Sequence, residues 1–177
     1  MKIGVLSDTH DDLRSTKRAL EVFLKRKVDL IVHCGDWVAP FAVEFISRNS
    51  GDIPVKGVPG NNEGDIRAIV LRNQKLDKPV QMAERRVLAV ELPDGGQVAA
   101  YHGDDELILE ALIGCGKYKA VFTGHTHAVR NEKVGEVLVL NPGAVCYARN
   151  GEIKDEATVA VYDSDANSAE IVTLDQS

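Results

Sequence analysis

The sequence predicts an α/β fold in which two packed β-sheets are flanked by helices. Apolar runs of four or five residues alternate with segments of helical period, which is typical of crossover units and a largely parallel sheet. The second half holds more strand-like runs than helices, and Pro93-Asp94-Gly95-Gly96 is a strong hairpin signal between two of them. This excess of strands favours two packed sheets over one open sheet.

Strands and helices alternate through the first half of the chain. Strands are predicted over residues 3–6, 29–32 and 54–58, and helices over residues 41–46 and around residues 66–70. The first helix is expected to be capped by Asp11 or Asp12 and to end at Lys25-Arg26-Lys27, where cations suit the negative helix end. Its inward face is predicted to be Leu13, Leu20, Phe23 and Leu24.

The second half begins with the predicted hairpin of residues 86–92 and 97–101. A helix follows, with Asp104 or Asp105 as its cap. Its apolar face is predicted to be Leu107, Ile108, Ala111 and Leu112. Residues 120–123, 137–140, 158–162 and 170–174 are predicted strands. The length of 177 residues predicts a single domain spanning residues 1–177.

Composition excludes several classes of protein. The formal net charge is -6, so there is no diffuse basic field to hold a polyanion, and we expect no non-specific nucleic-acid binding. The apolar run before Asp8 is too short for a signal peptide, and no later run approaches the ~20 residues of a membrane span, which predicts a cytoplasmic protein. The widely spaced Cys34, Cys115 and Cys146 are interpreted as small buried residues, not as a disulfide framework or a thiolate zinc site.

Five short polar motifs follow predicted strands. They are Asp8-Thr9-His10, Gly35-Asp36, Gly60-Asn61-Asn62-Glu63, His102-Gly103 and Gly124-His125-Thr126-His127. Because the carboxyl ends of parallel strands open onto one crevice, five such loops can converge. Residues two apart in an extended chain point the same way, which would aim Asp8 with His10 and His125 with His127.

Seven side chains of these motifs are candidate metal ligands: Asp8, His10, Asp36, Asn61, His102, His125 and His127. Imidazoles, carboxylates and one amide oxygen form a mixed donor set suited to Mn, Fe, Zn, Ni or Co. Seven donors are too many for one ion, but they suit two divalent ions that share a carboxylate and a bridging water, as in two-metal phosphoester hydrolysis. Two such ions, two aspartates and a hydroxide leave a single positive charge, which matches a phosphodiester anion.

The order of the motifs resembles that of the calcineurin-like metallophosphoesterases, and more closely their small bacterial and archaeal phosphodiesterase branch. The resemblance runs from Ser7 through Asn141-Pro142-Gly143. It implies a four-layer αββα sandwich of two mixed β-sheets flanked by helices, with a dinuclear centre at one end. Carried over residue by residue, it implies that Asp8, His10 and His127 bind the first ion and that Asn61, His102 and His125 bind the second. Asp36 would bridge them, and we expect Asp36, Asn61 and His102 to take part in catalysis.

The family resemblance implies that a hydroxide held between the ions attacks phosphorus in line with the leaving oxygen. Many members carry His where this chain has Asn62, and that His can assist the leaving group. Because Asn cannot donate a proton at neutral pH, we expect a preference for esters with good leaving groups, such as aryl phosphodiesters. Asp104 is a second departure, since relatives often carry another His there; Asp104 and Asp105 are interpreted as helix-capping or solvated.

Three functions remain open at this point. The leading one is a metal-dependent phosphodiesterase that acts on a small phosphoester with two divalent transition-metal ions, Mn first and Ni, Fe, Zn or Co as alternatives. The second is a non-catalytic metal-binding scaffold, because a retromer subunit shares this fold and has lost part of the ligand set. The third is a phosphomonoesterase, although the ligand loops show no obvious basic cluster for a dianion. No membrane contact is expected, and a homo-oligomer is left open.

Two rings near the motifs are not predicted ligands. His33 lies within an apolar run and is interpreted as a structural, hydrogen-bonded histidine. Trp37 follows Asp36 and either lines the floor of the cleft or packs against Phe41. Asn141-Pro142-Gly143 is interpreted as a structural turn near the ligands.

Overall fold

A computed structural model describes residues 1–149, 152–153 and 156–174. The helices are α1 Leu13–Arg26, α2 Pro40–Asn49, α3 Ile66–Asn73 and α4 Glu106–Gly114. The strands are β1 Lys2–Leu6, β2 Leu30–His33, β3 Val55–Gly57, β4 Gln81–Met82, β5 Val87–Glu91, β6 Gln97–Tyr101, β7 Ala120–Phe122, β8 Val129–Val134, β9 Val137–Pro142, β10 Ala148–Arg149, β11 Glu152–Ile153, β12 Ala157–Asp163 and β13 Ser168–Leu174.

Two mixed sheets form the centre of the fold. The six-stranded sheet has the order β13-β12-β1-β2-β3-β4, with β1 to β4 parallel and β12 and β13 antiparallel at one side. The five-stranded sheet has the order β5-β6-β7-β9-β8, with β6, β7 and β9 parallel and both edge strands antiparallel. The short strands β10 and β11 pair with each other.

Three apolar clusters define four layers. The cluster between the sheets contains side chains of β1, β2 and β12 on one side and of β5, β6, β7 and β9 on the other. There Phe122 meets Tyr162 edge to face, with ring centroids 5.1 Å apart. A second cluster joins α1, α2 and α3 to the outer face of the six-stranded sheet, and a third joins α4 to the outer face of the five-stranded sheet. The predicted αββα sandwich of two mixed β-sheets flanked by helices is therefore confirmed.

The helix caps agree with the sequence, but two helix faces do not. Asp12 caps α1 by accepting a hydrogen bond from the amide of Ser15, and Asp105 caps α4. Leu24, predicted to face inward on α1, is 43% exposed, because it lies in the last turn, beyond the buried stripe that ends at Phe23.

Helix α4 packs on a stripe that shares only Leu112 with the predicted one. Leu107 is 77% exposed and Ala111 is exposed as well. The side chains that contact the five-stranded sheet are Leu109, Leu112 and Ile113. Apolar residues occupy more than one face of this short helix, so periodicity alone does not identify the packed one.

Strand β8 was missing from the sequence prediction. It is an edge strand with mostly exposed, polar residues, including Arg130, Glu132 and Lys133, so it has no apolar run to reveal it. Charged side chains on an edge strand discourage pairing with another chain. In the described part of the chain, no helix combines the length and the apolar character needed to cross a membrane.

The fold brings the polar motifs to one edge of the sandwich. Strands β1, β2 and β3 are parallel neighbours, so the loops after them leave the same side of the first sheet. Strands β6 and β7 are parallel neighbours in the second sheet, and the loops after them lie opposite the first three. A hydrogen bond from the amide of Gly124 to the carbonyl of His102, 2.8 Å long, joins the last two loops.

The cap of α4 gives a test of the helix boundary. The Asp105 carboxylate accepts hydrogen bonds from the amides of Leu107 and Ile108. We expect Asp105→Ala to lower the free energy of unfolding by about 1 kcal/mol, as loss of an N-cap does. Asp105→Asn, which keeps the acceptor, should unfold like the wild type in urea. An Asp105→Ala variant as stable as Asp105→Asn would contradict this boundary.

Candidate metal centre

Four side chains surround one point at the end of β1. The Nε2 atoms of His10 and His127 are 3.3 Å apart. Asp8 Oδ1 lies 3.2 Å from His127 Nε2 and 3.8 Å from His10 Nε2, and Asp36 Oδ2 lies 3.4 Å from His10 Nε2. We call these four residues the first group. Their nitrogen and oxygen atoms face one another across a short gap, as ligands of one ion do.

A second group lies beside the first and consists of Asn61, His102, His125 and, again, Asp36. Asn61 Oδ1 is 2.8 Å from His102 Nε2 and 2.8 Å from His125 Nδ1. Asp36 Oδ1 is 3.4 Å from His102 Nε2. The structure therefore brings all seven predicted residues together, and Asp36 presents one oxygen to each group.

Buried charge in the first group needs a cation. Asp8 is fully buried and Asp36 is 1% exposed. The ion-pair partners that the described residues offer these two carboxylates are the imidazoles of His10, His102 and His127. Burial of a carboxylate costs free energy unless opposite charge or hydrogen bonds compensate it. Asp8 Oδ1 is buried, yet no residue that the structure describes donates a hydrogen bond to it.

The tautomer of His102 supports the same conclusion. Its Nδ1 lies 2.7 Å from the backbone carbonyl oxygen of Cys34, which can only accept, so Nδ1 carries the proton. In the neutral ring, Nε2 then directs a lone pair at the amide oxygen of Asn61. Two lone pairs that face each other repel unless a cation lies between them. The donor set thus fits divalent metal ions, and a histidine whose second nitrogen is held by a carbonyl is typical of a metal ligand.

Asp8 and His10, which follow the carboxyl end of β1, shift each other's pKa. Burial raises the pKa of Asp8, but the imidazoles of His10 and His127 and the hydroxyl of Ser7 outweigh it and hold the pKa well below its usual range. The Asp8 carboxylate in turn raises the pKa of His10 against the opposing effect of burial. Asp8 is therefore ionised at neutral pH, as a metal ligand must be.

The backbone that carries the ligands is not extended. Asp8, His10, Asp36, His125 and His127 all have positive φ, between 41° and 66°. The expectation that Asp8 and His10, or His125 and His127, point the same way along an extended chain was therefore wrong in its premise. His125 joins the second group and His127 the first, because left-handed residues turn the chain between them. Such backbone costs of order 1–3 kcal/mol per residue and clusters at functional sites.

Gly124 shows why a small residue is needed next to the ligands. A Cβ at this position would lie 1.8 Å from Ser7 Oγ and 2.7 Å from Asp8 Oδ2. The close approach lets the amide of His125 donate a hydrogen bond to Asp8 Oδ2. Any larger residue would separate the loop of His125 and His127 from the loop of Asp8.

Two residues that sequence reasoning had not assigned to the site hold the ligand loops in place. The carboxylate of Glu63 accepts hydrogen bonds from the amides of Trp37, Val38 and Gly60, so it joins the Asp36 loop to the Asn61 loop. The side chain of Asn141 donates to the carbonyl of Gly124 and to the hydroxyl of Thr126. Both residues lay within quoted motifs, but only the folded chain reveals what they contact.

His33 and Trp37 form part of the support beneath the site. His33 Nδ1 accepts a hydrogen bond from the amide of Gly35, and its Nε2 pairs with Thr9 Oγ1 at 3.1 Å, so the structural interpretation of His33 is confirmed. Trp37 stacks on His33 with ring centroids 3.7 Å apart and is fully buried. Trp37 therefore neither lines an open cleft nor packs mainly on Phe41, which is 48% exposed.

The rim of the site differs from its floor. Asp8 and Asp36 lie at the buried floor, whereas Asn61, Asn62 and His125 are exposed. Asp105 caps α4, but the interpretation of Asp104 as helix-capping or solvated was wrong, because its carboxylate is largely buried in an ion pair with Arg86. Cys34 and Cys146 are buried as expected, but Cys115 is exposed, because it caps the end of α4 at the surface.

Comparisons with known proteins agree with this geometry. A model of the calcineurin-like phosphoesterase superfamily domain matches residues 1–167. The chain belongs to this superfamily. A member of it from Methanocaldococcus jannaschii, a phosphodiesterase, is 33% identical over 176 residues, which is 99% of this chain and 100% of that protein.

Solved structures share this fold. An archaeal phosphodiesterase has a TM-score of 0.86 at 30% identity and covers 98% of this chain and 100% of its own. The E. coli phosphoesterase Yfce has a TM-score of 0.65 at 22% identity, over 99% of this chain and 100% of its own, which shows the shared fold. The family resemblance of the five motifs is thereby confirmed.

Burial of His33 predicts a stability that depends on pH. Desolvation lowers the pKa of His33 from 6.5 to about 3, so the unfolded chain binds a proton at this residue more readily than the native protein. The contribution of neutral His33 to the free energy of unfolding is fully present above pH 6.5, its pKa in the unfolded chain, and is lost as the pH falls below that value. Between pH 7 and pH 5 we expect His33 to account for a loss of about 2 kcal/mol.

The measurement compares urea unfolding of the wild type and of His33→Gln at both pH values, with chelator present throughout. The wild type should lose more stability than the variant on acidification. Equal losses in the two proteins would show that His33 is not held neutral by the fold.

Proposed function

We propose that this phosphoesterase is a metal-dependent phosphodiesterase that holds two divalent ions between its two sheets. The observation that carries the proposal is the position of Asp36, whose two carboxylate oxygens each lie 3.4 Å from a histidine nitrogen of a different group. One buried carboxylate that reaches both groups is what two ions with a shared ligand require. The phosphodiesterase relatives over nearly the whole chain support the substrate class.

The two groups would divide the ligands between the ions. Asp8, His10 and His127 would hold the first ion, Asn61, His102 and His125 the second, and Asp36 would contact both. When bound, such ions lower the pKa of a shared water to near neutrality and neutralise charge on the phosphoryl oxygens. The mixed nitrogen and oxygen donors favour a transition metal, and Mn²⁺ is our first expectation.

The protein's own residues set how substrate approaches. The two ligand carboxylates, Asp8 and Asp36, lie on the floor, and the exposed Asn61, Asn62 and His125 place no carboxylate above them. His102 Nδ1 faces the carbonyl of Cys34, so its Nε2 is the nitrogen directed at Asn61 and available to an ion. An exposed neutral rim above a cationic centre suits a small monoanionic diester.

Asn62 has a different task from the histidine that many relatives carry. Its amide nitrogen Nδ2 donates to Asp36 Oδ2, and its backbone amide donates to Asp36 Oδ1, both at 2.8 Å. These bonds orient the carboxylate that both groups share. Asn62 thus positions Asp36, and it supplies no proton to a leaving group.

Replacement of Asp36 tests the centre directly. Asp36→Asn keeps the shape but removes the shared negative charge. We expect loss of bound metal and a fall of roughly 100-fold or more in hydrolysis of bis(p-nitrophenyl) phosphate, since even indirect metal contacts are worth 10- to 100-fold. Metal content by mass spectrometry, activity and circular dichroism are measured together. Asp94→Asn, in an exposed turn, is the matched control and should behave like the wild type.

The same assay separates the alternative functions. Chelator should abolish the wild-type activity and added Mn²⁺ should restore it. A folded protein that binds metal but shows no chelator-sensitive hydrolysis with Mn, Ni, Fe, Zn or Co would indicate a scaffold. Faster hydrolysis of nitrophenyl monophosphate than of the diester would indicate a phosphomonoesterase.

The role of Asn62 predicts a strong dependence on the leaving group. General acid catalysis is worth roughly 10²–10⁴-fold, so without it alkyl diesters should react at least about 100-fold more slowly than nitrophenyl diesters. Asn62→His loses the side-chain bond to Asp36, so its nitrophenyl rate should fall as in Asn62→Ala, whereas its rate on alkyl diesters relative to nitrophenyl diesters should rise. Asn62→Ala, which also lacks the bond to Asp36, is the control and should gain nothing. Equal wild-type rates on both ester classes would rule out the proposed role.

A further inference from the structure

Cys146 lies against the first group although no motif predicted it. The segment that carries it is tied to the Asp8 loop, because the amide of Val145 donates to the carbonyl of Ser7 and the amide of Cys146 donates to the carbonyl of Asp8, at 3.0 and 3.1 Å. The thiol is buried, with 4% of the residue exposed. Its position is therefore fixed by the same backbone that places Asp8.

The thiol comes within reach of the ligand nitrogens. Cys146 Sγ and one ring nitrogen each of His10 and His127 lie within 4.8 Å of one another. Around a zinc-like ion with bonds of about 2.05 Å to nitrogen and about 2.3 Å to sulfur, nitrogen and sulfur ligands are separated by roughly 3.6 to 4.4 Å. Only a small movement of the side chains separates the observed cluster from a coordinated one.

The carboxylate of Asp8 gives a second observation that points to a cation here. Asp8 Oδ1 is fully buried, accepts no hydrogen bond from the described residues and lies 3.2 Å from His127 Nε2 and 3.8 Å from His10 Nε2. The same two imidazoles thus face a buried carboxylate oxygen and a buried sulfur. A cation held by these two rings would compensate the carboxylate and lie close to the sulfur.

We propose that Cys146 is a further ligand of the first ion and that its sulfur makes this position selective for Zn²⁺, Co²⁺ or Fe²⁺, so that Mn²⁺ is the expected metal of the second position only. The inference rests on the proposed dinuclear centre. Thiolate sulfur is a soft ligand that prefers these metals to Mn²⁺, which favours oxygen. The thiol releases its proton to solvent on binding, as metal-bound cysteines do. The thiolate brings the net charge of the centre from +1 to 0, which disfavours a dianionic monoester more than a monoanionic diester.

Cobalt substitution tests the proposal without reference to activity. Protein stripped with chelator is loaded with Co²⁺, the bound cobalt is counted, and the absorption spectrum is recorded. A cobalt–thiolate bond gives an intense near-ultraviolet charge-transfer band that nitrogen and oxygen ligands do not give. We expect this band in the wild type and in Cys115→Ser, where the exposed thiol is the matched control, and its loss in Cys146→Ser.

A variant with Cys146 as its one remaining thiol is the control in case Cys146→Ser loses the band because it misfolds. The double variant Cys34→Ala with Cys115→Ser retains Cys146 alone and should keep the band. In the competition between Zn²⁺ and Mn²⁺, Cys146→Ser should lose at least about tenfold of the preference for Zn²⁺, the lower end of what a metal-site contact contributes.

The outcomes separate this inference from the proposed function. Wild-type protein that binds cobalt without the charge-transfer band would overturn the role of Cys146 and leave the dinuclear centre standing. Protein that binds no cobalt would overturn both. A band that survives in Cys146→Ser would assign the sulfur ligand elsewhere and overturn the inference.

Discussion

Two buried carboxylates, Asp8 and Asp36, are the constraint on which the rest of this structure depends. Each accepts a backbone hydrogen bond, from His125 and from Asn62 respectively, and Asp36 also accepts one from the Asn62 side chain, but their ion-pair partners are imidazoles. Asp8 and Asp36 come from the loops of the six-stranded sheet, and the imidazoles of His102, His125 and His127 come from the other sheet. Cations between them would therefore also join the two sheets, so metal binding and sheet packing would stabilise each other.

Most of the fold could be predicted because its strands and helices carry local signals. Buried parallel strands are short apolar runs, and Asp12 and Asp105 occupy helix-cap positions. The turn between β5 and β6 contains Pro93-Asp94-Gly95-Gly96, residues that favour a hairpin. The failures have a common cause, which is that tertiary contacts decided the result. Strand β8 is held at a sheet edge by pairing with β9 and has no apolar pattern. Leu107 fitted a helical stripe, but the sheet contacts a different face of α4.

The membership of the site could be read from residue types, but its geometry could not. Five motifs at strand ends identified the seven residues that the structure brings together. Left-handed backbone at His125 and His127, which sends the two rings to different groups, has no counterpart in the spacing of the residues. Glu63 and Asn141 act through hydrogen bonds to distant segments, and Cys146 reaches the first group through pairing with Ser7 and Asp8. Contacts of this kind depend on the finished fold.

The two groups are chemically unequal, and this follows from which ligands carry charge. The first group has its own carboxylate, Asp8, and a thiol close by, whereas the ligands particular to the second group, Asn61, His102 and His125, are neutral. Asp36 is shared equally, at 3.4 Å from each side. An ion in the first group would be held by more negative charge at a more buried position. An ion in the second would lie nearer the exposed rim, keep more of its positive charge and face the phosphate of the substrate. In the proposed centre, the first group would therefore retain its metal more tightly, and the second would contact the substrate.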